Sequence, residues 1–322
     1  MKQKTSRHCV IAAIFAFASI GLFCAGTVRA QDPQPDEESR RLWDSEFLKK
    51  RKTIKTSSSN PAPARKATGY RRVTPKTPPS ENSPAESKST MEKPAAEKAA
   101  GEILGITVWR LRHSTESDSS ESRMLIEESG NPVEWTLERV ELGATFAAGD
   151  LVKLGIESPR DGYLYVINRE LYADGTTSDP YLIYPTRRNR NGDNSVSAGK
   201  VIELPERTAF RLKSTSQDYA GESITILVTQ QPLTEIAIGD RMVKLDKAQV
   251  EGWEKRWGAP LEQFELIGGA GKPYTKAEKE AGQGGSRILT QEDELPQTLY
   301  RALTKTGDPL LVTVQLRIKP VK

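Results

Sequence analysis

The side chains most often used in catalysis and zinc binding are scarce in this sequence. Its 322 residues include two cysteines, Cys9 and Cys24, and two histidines, His8 and His113. Three of these four lie in the N-terminal leader described below, which leaves His113 for the rest of the chain. This distribution excludes Cys/His zinc sites and Cys-His nucleophile pairs within one chain, and a Ser-His-Asp triad would depend on His113. We therefore predict no catalytic residues, no metal and no cofactor, with His113 as a solvated surface residue.

A glycine-rich run, Gly268–Lys272, invites comparison with a phosphate-binding loop, because glycines expose backbone N–H groups and a lysine follows them. A Walker loop also requires glycine five residues before the Gly-Lys pair and Ser or Thr after it. Those positions hold Leu266 and Pro273 here. The spacing does not fit, and we expect a flexible loop without a phosphate site.

The segment 186–194 (TRRNRNGDN) combines oxygen-bearing side chains with arginines. Its possible oxygen ligands for Ca²⁺ are Asn189, Asn191, Asp193 and Asn194. One carboxylate among three arginines suits a divalent cation poorly, so a polar hairpin loop is favoured. Guanidinium groups are better suited to contact anions. The predicted partner-binding residues of this loop are Arg187, Arg188 and Arg190.

The segment 162–185 is the stretch around which the rest of the chain is most plausibly built. Its first arm, Tyr163–Ile167, is β-branched and aromatic on both faces, as expected of a central strand that is covered on each side. Ala173–Thr176 supplies a turn, and Tyr181–Tyr184 returns as a second apolar run that Pro185 ends. We predict a core β-hairpin.

Further short strands separated by turn signals predict a mainly β domain over residues 101–322. They lie at 106–111, 124–127, 150–157, 200–204, 209–213 and 223–229. The second of these is expected to pair with the first. In the third, Val152, Leu154 and Ile156 face one way, with Lys153 and Glu157 on the other side. The series favours an antiparallel β-sandwich, Ig-like in general architecture.

The domain is interrupted by an insertion at about 234–290 with helical and glycine-rich sequence. Asp246 can cap a helix that runs to Trp257, and Thr275 and Glu278 have the spacing of a capping box. After the insertion, 297–304 and 309–318 are predicted to form a closing hairpin over 297–319. Pro296 could instead begin a helix through Leu303.

The first 30 residues have the pattern of a signal peptide. Three basic residues precede the apolar run Val10–Phe23, and Val28–Ala30 offers small residues at the positions that a signal peptidase reads. Cleavage there would leave Gln31 first, without a transmembrane span in the mature chain. An uncleaved anchor is the alternative, because the run approaches bilayer length. In both cases the remainder is exported, to the periplasm or the cell exterior.

Residues 31–100 are predicted to be a disordered, Pro-rich and basic tether, with a possible short helix at 36–52. In that helix Trp43 and Phe47 are four residues apart and would share one face. They either dock on a partner or fold back onto the chain's own domain.

The charge of the chain is divided unevenly. Residues 1–100 carry 19 basic and 10 acidic residues, whereas residues 101–322 carry 28 basic and 33 acidic ones. Between residues 48 and 80 there are ten Lys or Arg and no Asp or Glu. The tether is therefore either a solvated spacer or a segment that binds anionic polysaccharide or lipid headgroups. Export argues against nucleic acid as a partner.

The strand and turn sequence also resembles a known family. The run Ile156–Pro159, the strand Gly162–Val166, the Tyr184-Pro185 ending, a Gly-Lys-Val-Ile strand ending at Pro205 and the strand Ile224–Thr229 are similar to the domain of unknown function 4384 family. The resemblance covers roughly residues 104–233. In that family the domain occurs in exported bacterial proteins and is also appended to kinases or caspase-like peptidases, which implies an accessory role. No catalytic residues are assigned to it.

These features together predict an exported, non-enzymatic accessory or protein-interaction module of the bacterial cell envelope. One alternative is binding of an anionic envelope polymer or lipid surface through the basic tether. A hydrolase with an unrecognised site is a further alternative.

Overall fold

The computed structural model describes residues 47–53, 69–73, 101–128, 130–141, 143–213, 216–282, 287–305 and 307–319. The leader, residues 36–46 of the predicted short helix, and Trp43 lie outside these ranges. Within them, strands pair into two sheets, which confirms the predicted mainly β, two-sheet architecture. No helix in the described part of the chain is long and apolar enough to cross a membrane.

The first sheet is centred on a long strand, β2. Its nine strands among the described residues are β1 (Tyr70–Val73), β2 (Glu102–His113), β3 (Arg123–Glu128), β4 (Asn131–Arg139), β6 (Leu151–Glu157), β10 (Val201–Leu204), β11 (Phe210–Arg211), β14 (Leu261–Leu266) and β15 (Thr298–Ala302). One edge of β2 pairs with β6, which in turn pairs with β10 and β11. The other edge pairs with β15 and β4, so the sheet continues as β15–β14–β1 and as β4–β3.

The second sheet contains the predicted core hairpin. Its strands are β5 (Thr145–Phe146), β7 (Gly162–Tyr172), β8 (Tyr181–Tyr184), β9 (Ser195–Val196), β12 (Tyr219–Thr229), β13 (Val243–Lys244) and β16 (Leu310–Ile318). The order is β13–β8–β7–β12–β16–β5, with β9 beside β7, so β7 and β8 form the predicted hairpin and β7 is an interior strand. The β16–β5 pair is parallel.

The main hydrophobic core lies between the two sheets. Alternate residues of β2 and β6 in the first sheet meet alternate residues of β7, β12 and β16 in the second, because successive side chains of a strand point to opposite faces. The inner residues of β6 are Val152, Leu154 and Ile156, as predicted. Five neighbouring strands therefore bury one face each in a shared interior.

Each sheet is also covered on its outer face. Helix α1 (Lys247–Trp257) packs Val250 and Trp253 onto the second sheet. Asp246 caps this helix by accepting a hydrogen bond from the Gln249 N–H, as predicted.

The first sheet is covered by residues 267–282, which include helix α2 (Lys276–Gly282), by residues 287–296, and by residues 47–53 and 69–73. At the start of α2, Thr275 and Glu278 exchange the two hydrogen bonds of a capping box, as predicted. We call residues 47–53 and 69–73 the N-terminal strap. Phe47 and Tyr70 of the strap pack against Ile103, Phe264 and Leu299.

The strap differs from the prediction of a tether without a core. A single aromatic residue in a polar segment was insufficient reason to expect a strand, but Tyr70 is buried and β1 adds to the edge of β14. The apolar surface that makes this possible belongs to other parts of the chain, which composition within 31–100 does not reveal.

The predicted closing hairpin is wrong. The turn before β16 is present, with Asp308 N–H donating to Lys305 O over 3.1 Å, but β15 belongs to the first sheet and β16 to the second. Tyr300 of β15 and Val312 of β16 both point into the main core. The two strands therefore lie opposite each other across the sandwich.

Two further expectations need correction. Strand β3 pairs with β4 and does not contact β2 through a ladder, because β4 occupies that edge of β2. The insertion is not purely helical, since its strand β14 pairs with β15 in the first sheet. Residues 298–302 form a strand and not the alternative helix after Pro296.

Candidate functional site

The loop that follows β8 presents two of the three predicted arginines to solvent. Arg187 and Arg188 are exposed, and Arg187 Nη1 lies 3.6 Å from Asp240 Oδ1. The Arg187 N–H donates to the Gly239 carbonyl over 2.8 Å, which ties this loop to the one that precedes β13. Both loops lie at one end of the second sheet, because β8 and β13 are antiparallel neighbours.

The third arginine, Arg190, is directed back into its own loop. Arg190 and Asn191 have φ angles of 48° and 54°, in the left-handed region that costs non-glycine residues roughly 1 kcal/mol or more each. Arg190 Nη2 donates to Asp193 Oδ2 over 2.8 Å, and the Asp193 N–H donates to the Arg190 carbonyl. These contacts hold the tight turn, so Arg190 serves the loop and is not part of the exposed arginine pair.

Asp193 is the anchor of this loop. Burial alone would raise the pKa of Asp193, but the hydrogen bonds from Ser195 and the charges of Arg190 and Lys200 lower it below its usual range. Burial and the nearby Arg190 charge lower the pKa of Lys200, and burial raises the pKa of Tyr184 to about 12.

A small crevice beside this loop does not make an anion site. Its lining includes the cations Arg190 and Lys200 and the carboxylates Glu203 and Glu206. The two carboxylates balance the two cations, so the crevice offers little net attraction to an anion.

The loop does not converge its oxygen atoms on a cation. The buried side chain of Asn194 donates from Nδ2 to the Leu164 carbonyl over 3.0 Å, on strand β7. Asp193 Oδ1 accepts from the Ser195 N–H over 2.9 Å. Among the described residues there is no group of three or more His, Cys, Asp or Glu side chains placed to hold a metal ion.

The neighbouring loop contributes exposed residues that sequence reasoning missed. Arg241 and Met242 are exposed, Met242 with 65% of its surface accessible. Their proximity to Arg187 depends on the pairing of β8 with β13, which joins residues about 60 positions apart in the chain. No local pattern signals such a pairing, although an exposed methionine beside an arginine is a recognisable interface composition.

Phe47, predicted as a partner contact, lies in the interior, with 2% of its surface accessible. It is covered by Pro296 and by Gly105, where a Cβ atom would lie 2.9 Å from Cζ of the ring. Trp43, the other predicted contact, is outside the described residues. In the described conformation Phe47 therefore packs on the chain's own domain and is inaccessible to a partner.

Four residues after Phe47, Arg51 fills a buried socket. Its Nε and Nη2 donate to the two carboxylate oxygens of Glu157 over 2.7 and 2.6 Å. Its Nη1 donates to the carbonyls of Thr290, Asp293 and Glu294 over 3.0–3.2 Å. The bidentate geometry and the ring of acceptors make this an arginine-specific contact that a lysine could not reproduce.

The outer face of β6 holds a second buried ion pair. Lys153 Nζ lies 3.1 Å from Glu203 Oε2, and both side chains are fully inaccessible to solvent. Tyr274 also donates to Glu203. Burial raises the pKa of Glu203, although Lys153 and Tyr274 oppose this effect. Lys153 was predicted to face outward from the core, which is correct, but the covering segment makes that face interior.

A third buried pair joins Arg139 of β4 to Glu278 of α2. Arg139 Nη1 also donates to the Leu295 carbonyl over 2.6 Å. Removing one partner of such a pair is costly, because the other charge stays buried. Two of the three ion pairs, Arg51–Glu157 and Arg139–Glu278, therefore connect the first sheet to the segments that cover it, whereas Lys153–Glu203 joins the neighbouring strands β6 and β10 of the sheet itself.

His113 is exposed at the end of β2 and stacks on Trp135, with ring centroids 4.1 Å apart. The glycine run is placed against β4, where the Gly271 N–H donates to the Arg139 carbonyl over 2.9 Å. Neither feature is combined with a second group that would complete a catalytic or phosphate site among the described residues.

Comparison with known proteins yields one family. No curated protein and no solved structure is significantly similar to the chain. The match of the family model begins at β5 and ends after β12, so β2 and β16, which complete the two sheets, lie outside it. The family model of a domain of unknown function, DUF4384, matches residues 145–232.

Proposed function

We propose that the chain is an exported protein of the bacterial cell envelope whose β-domain is a non-enzymatic protein-interaction module. Export is supported by the leader pattern of residues 1–30.

The interaction role rests on one observation, which is how the basic side chains are distributed between the interior and the surface. The buried cations Arg51, Arg139 and Lys153 are each paired with a buried carboxylate that joins two segments of the domain. Three exposed arginines, Arg187, Arg188 and Arg241, lie instead on two adjoining loops, where they can meet another molecule. Arginine is enriched at protein interfaces, which makes an interaction role the best use of this surface.

The export part of the proposal is tested by fractionating the source cells. The protein is expected in the envelope or outside the cell, with Gln31 at its N-terminus if the leader is cleaved. Recovery from the cytosol with Met1 retained would contradict export.

The interaction part is tested by affinity capture from the envelope fraction with the chain from Gln31 onward. The bait should keep the N-terminal strap, because its removal would uncover apolar side chains around Ile103 and Leu299 and create non-specific binding. A genuine partner is expected to recapture this protein when it serves as the bait. If no protein binds in both directions, the interaction role is wrong.

Binding of an anionic polymer is the second candidate, and the basic run at 48–80 favours it. Among the basic residues of this run that the structure describes, Arg51 is paired with Glu157 and Arg72 with Glu262, whereas Lys49, Lys50 and Lys52 are exposed. A variant with Gln in place of all six lysines of the run should lose binding to alginate, used as an anionic polysaccharide probe; these are Lys49, Lys50, Lys52, Lys55, Lys66 and Lys76. Unchanged alginate binding would remove this candidate.

A further inference from the structure

Two loops at one end of the second sheet form a continuous exposed surface. We call it the two-loop surface and define it by Arg187 and Arg188 from the loop after β8 and by Asp240, Arg241 and Met242 from the loop before β13. The Arg187 N–H to Gly239 carbonyl bond, at 2.8 Å, joins the loops through their backbones. A Cβ atom at Gly192 would lie 3.6 Å from Ile238, which shows that the loops also pack on each other. The surface is thus held by the fold and does not depend on one flexible segment.

The charge on this surface is unbalanced. Its three guanidinium groups face one carboxylate, that of Asp240. The Arg187–Asp240 pair is 3.6 Å apart with side chains 66% and 70% exposed, so it contributes little and leaves Arg187 available. In the described part of the chain, Arg188 and Arg241 have no ion-pair partner.

The composition points to a particular kind of ligand. Arginine presents a planar fork of donors that matches a carboxylate in two hydrogen bonds. Met242, 65% exposed, adds an adaptable apolar contact at the side of the arginines. A protein segment that carries several carboxylates and an apolar residue would satisfy both features.

Resting on the proposed interaction role, we propose that the two-loop surface is the docking face and that it binds an acidic segment of the partner protein. The segment supplies carboxylates to Arg187, Arg188 and Arg241 and an apolar side chain to Met242.

The charge of the whole domain favours a short acidic segment over an anionic membrane. Residues 101–322 carry 28 basic and 33 acidic residues, so the domain is net negative. An extended anionic surface would be repelled by the rest of the domain as it approached. A short segment interacts within roughly one Debye length, about 8–10 Å, and responds mainly to the local arginines.

The test measures binding of a fluorescent peptide to the purified protein from Gln31 onward. The probe is a twelve-residue peptide of about eight Glu and Asp with Leu between them, and its control has Gln and Asn in place of the acids. The test variant is R187Q/R188Q/R241Q. The matched control is K247Q/K255Q/R256Q, which removes the same charge from exposed positions of helix α1. Melting curves check that both variants are folded.

Saturable binding of the acidic peptide is expected, with a loss of about tenfold or more in the loop variant and little change in the helix variant. M242Q should weaken binding a few-fold without changing its salt dependence. Vesicles of phosphatidylcholine with phosphatidylglycerol should bind much more weakly than the peptide.

Equal loss in the two triple variants, no saturable binding, or stronger binding to the vesicles would overturn the assignment of this surface. A partner captured reciprocally that still binds the loop variant would leave the interaction role standing and refute only the docking face.

Discussion

Replacing Arg51 with methionine should release the N-terminal strap from the domain. The side chain is 1% exposed and donates to both oxygens of Glu157 and to three carbonyls. Methionine keeps much of the apolar length but leaves Glu157 buried without its partner. Removing one member of a buried ion pair costs roughly 3–5 kcal/mol.

This free-energy cost has an upper limit, which determines whether the variant opens locally or unfolds as a whole. If the strap leaves the surface, Glu157 gains access to water. The free energy of unfolding that is lost in the variant therefore cannot exceed the free energy that holds the strap on the domain. We therefore expect local opening with the two-sheet core intact. A loss of about 3–4 kcal/mol corresponds to a rise in the open population on the order of 100- to 1,000-fold.

Hydrogen exchange at the amides of β1 measures this population directly. Protection of residues 71–73 should fall by that factor in R51M, while protection in β7 and β12 stays the same. Lys50→Met is the matched control, because exposed Lys50 lies next to Arg51 and has no contact with the socket. R51M/E157L should recover part of the protection, since an apolar pair removes the unpaired charge. Wild-type protection in R51M, or an equal loss in K50M, would refute the assignment of the socket as the anchor.

Three further outcomes follow from the packing and the charges. Gly155→Ala should destabilise the domain by about 1–3 kcal/mol in urea unfolding, because its Cβ would lie 2.6 Å from the ring of Trp109; an unchanged midpoint would show that the ring can move. Asp246→Ala should cost about 1 kcal/mol, read as a lower Tm, through loss of the cap bond to Gln249, whereas Asp246→Asn should retain most of it. The pKa of Asp193 is lowered in the folded state, so its stabilising effect is full above its unfolded pKa and is lost as pH falls through the folded value. Asp193→Asn should therefore lower stability at pH 7, by an amount that decreases as the solution is acidified below the unfolded pKa, and an effect that does not change with pH would contradict this.

The elements that were predictable from sequence are those whose signals are local. The hairpin of β7 and β8 is encoded by two apolar runs with a turn at Gly175, where φ is 85°. Asp246 caps the start of helix α1 and Thr275 that of α2, and each cap is made between residues three positions apart. These features need no knowledge of the rest of the fold.

The elements that were missed depend on contacts between distant segments. The sequence around Lys153 alternates as an ordinary half-exposed strand would, but residues from a distant segment, such as Tyr274, cover its outer face and make it interior. The connection between β15 and β16 has a turn like that of a hairpin, with Gly307 at a φ of 96°, so the local sequence does not distinguish a hairpin from a crossing between the sheets. What decides between them is the side of the core on which each strand lies.

The candidate site likewise combines residues with a local sequence signal and residues that are brought together by distant contacts. Arg187 and Arg188 were identified from their loop, but Arg241 and Met242 join them only because β13 pairs with β8. Phe47 was identified as an aromatic residue that needs cover. Its cover is formed by Ile103, Phe264 and Leu299, which come from three different strands of the first sheet.

The strap also changes how the salt dependence of any binding should be interpreted. Its exposed pairs, Arg72 with Glu262 and Arg71 with Glu141, are screened by salt, whereas the Arg51–Glu157 pair is buried and screened much less. Phe47 and Tyr70 are held by apolar burial, which salt does not weaken. High salt should therefore leave the strap in place. A partner lost at high salt has lost contacts with exposed charges such as those of the two-loop surface, and that loss cannot be explained by an opened strap.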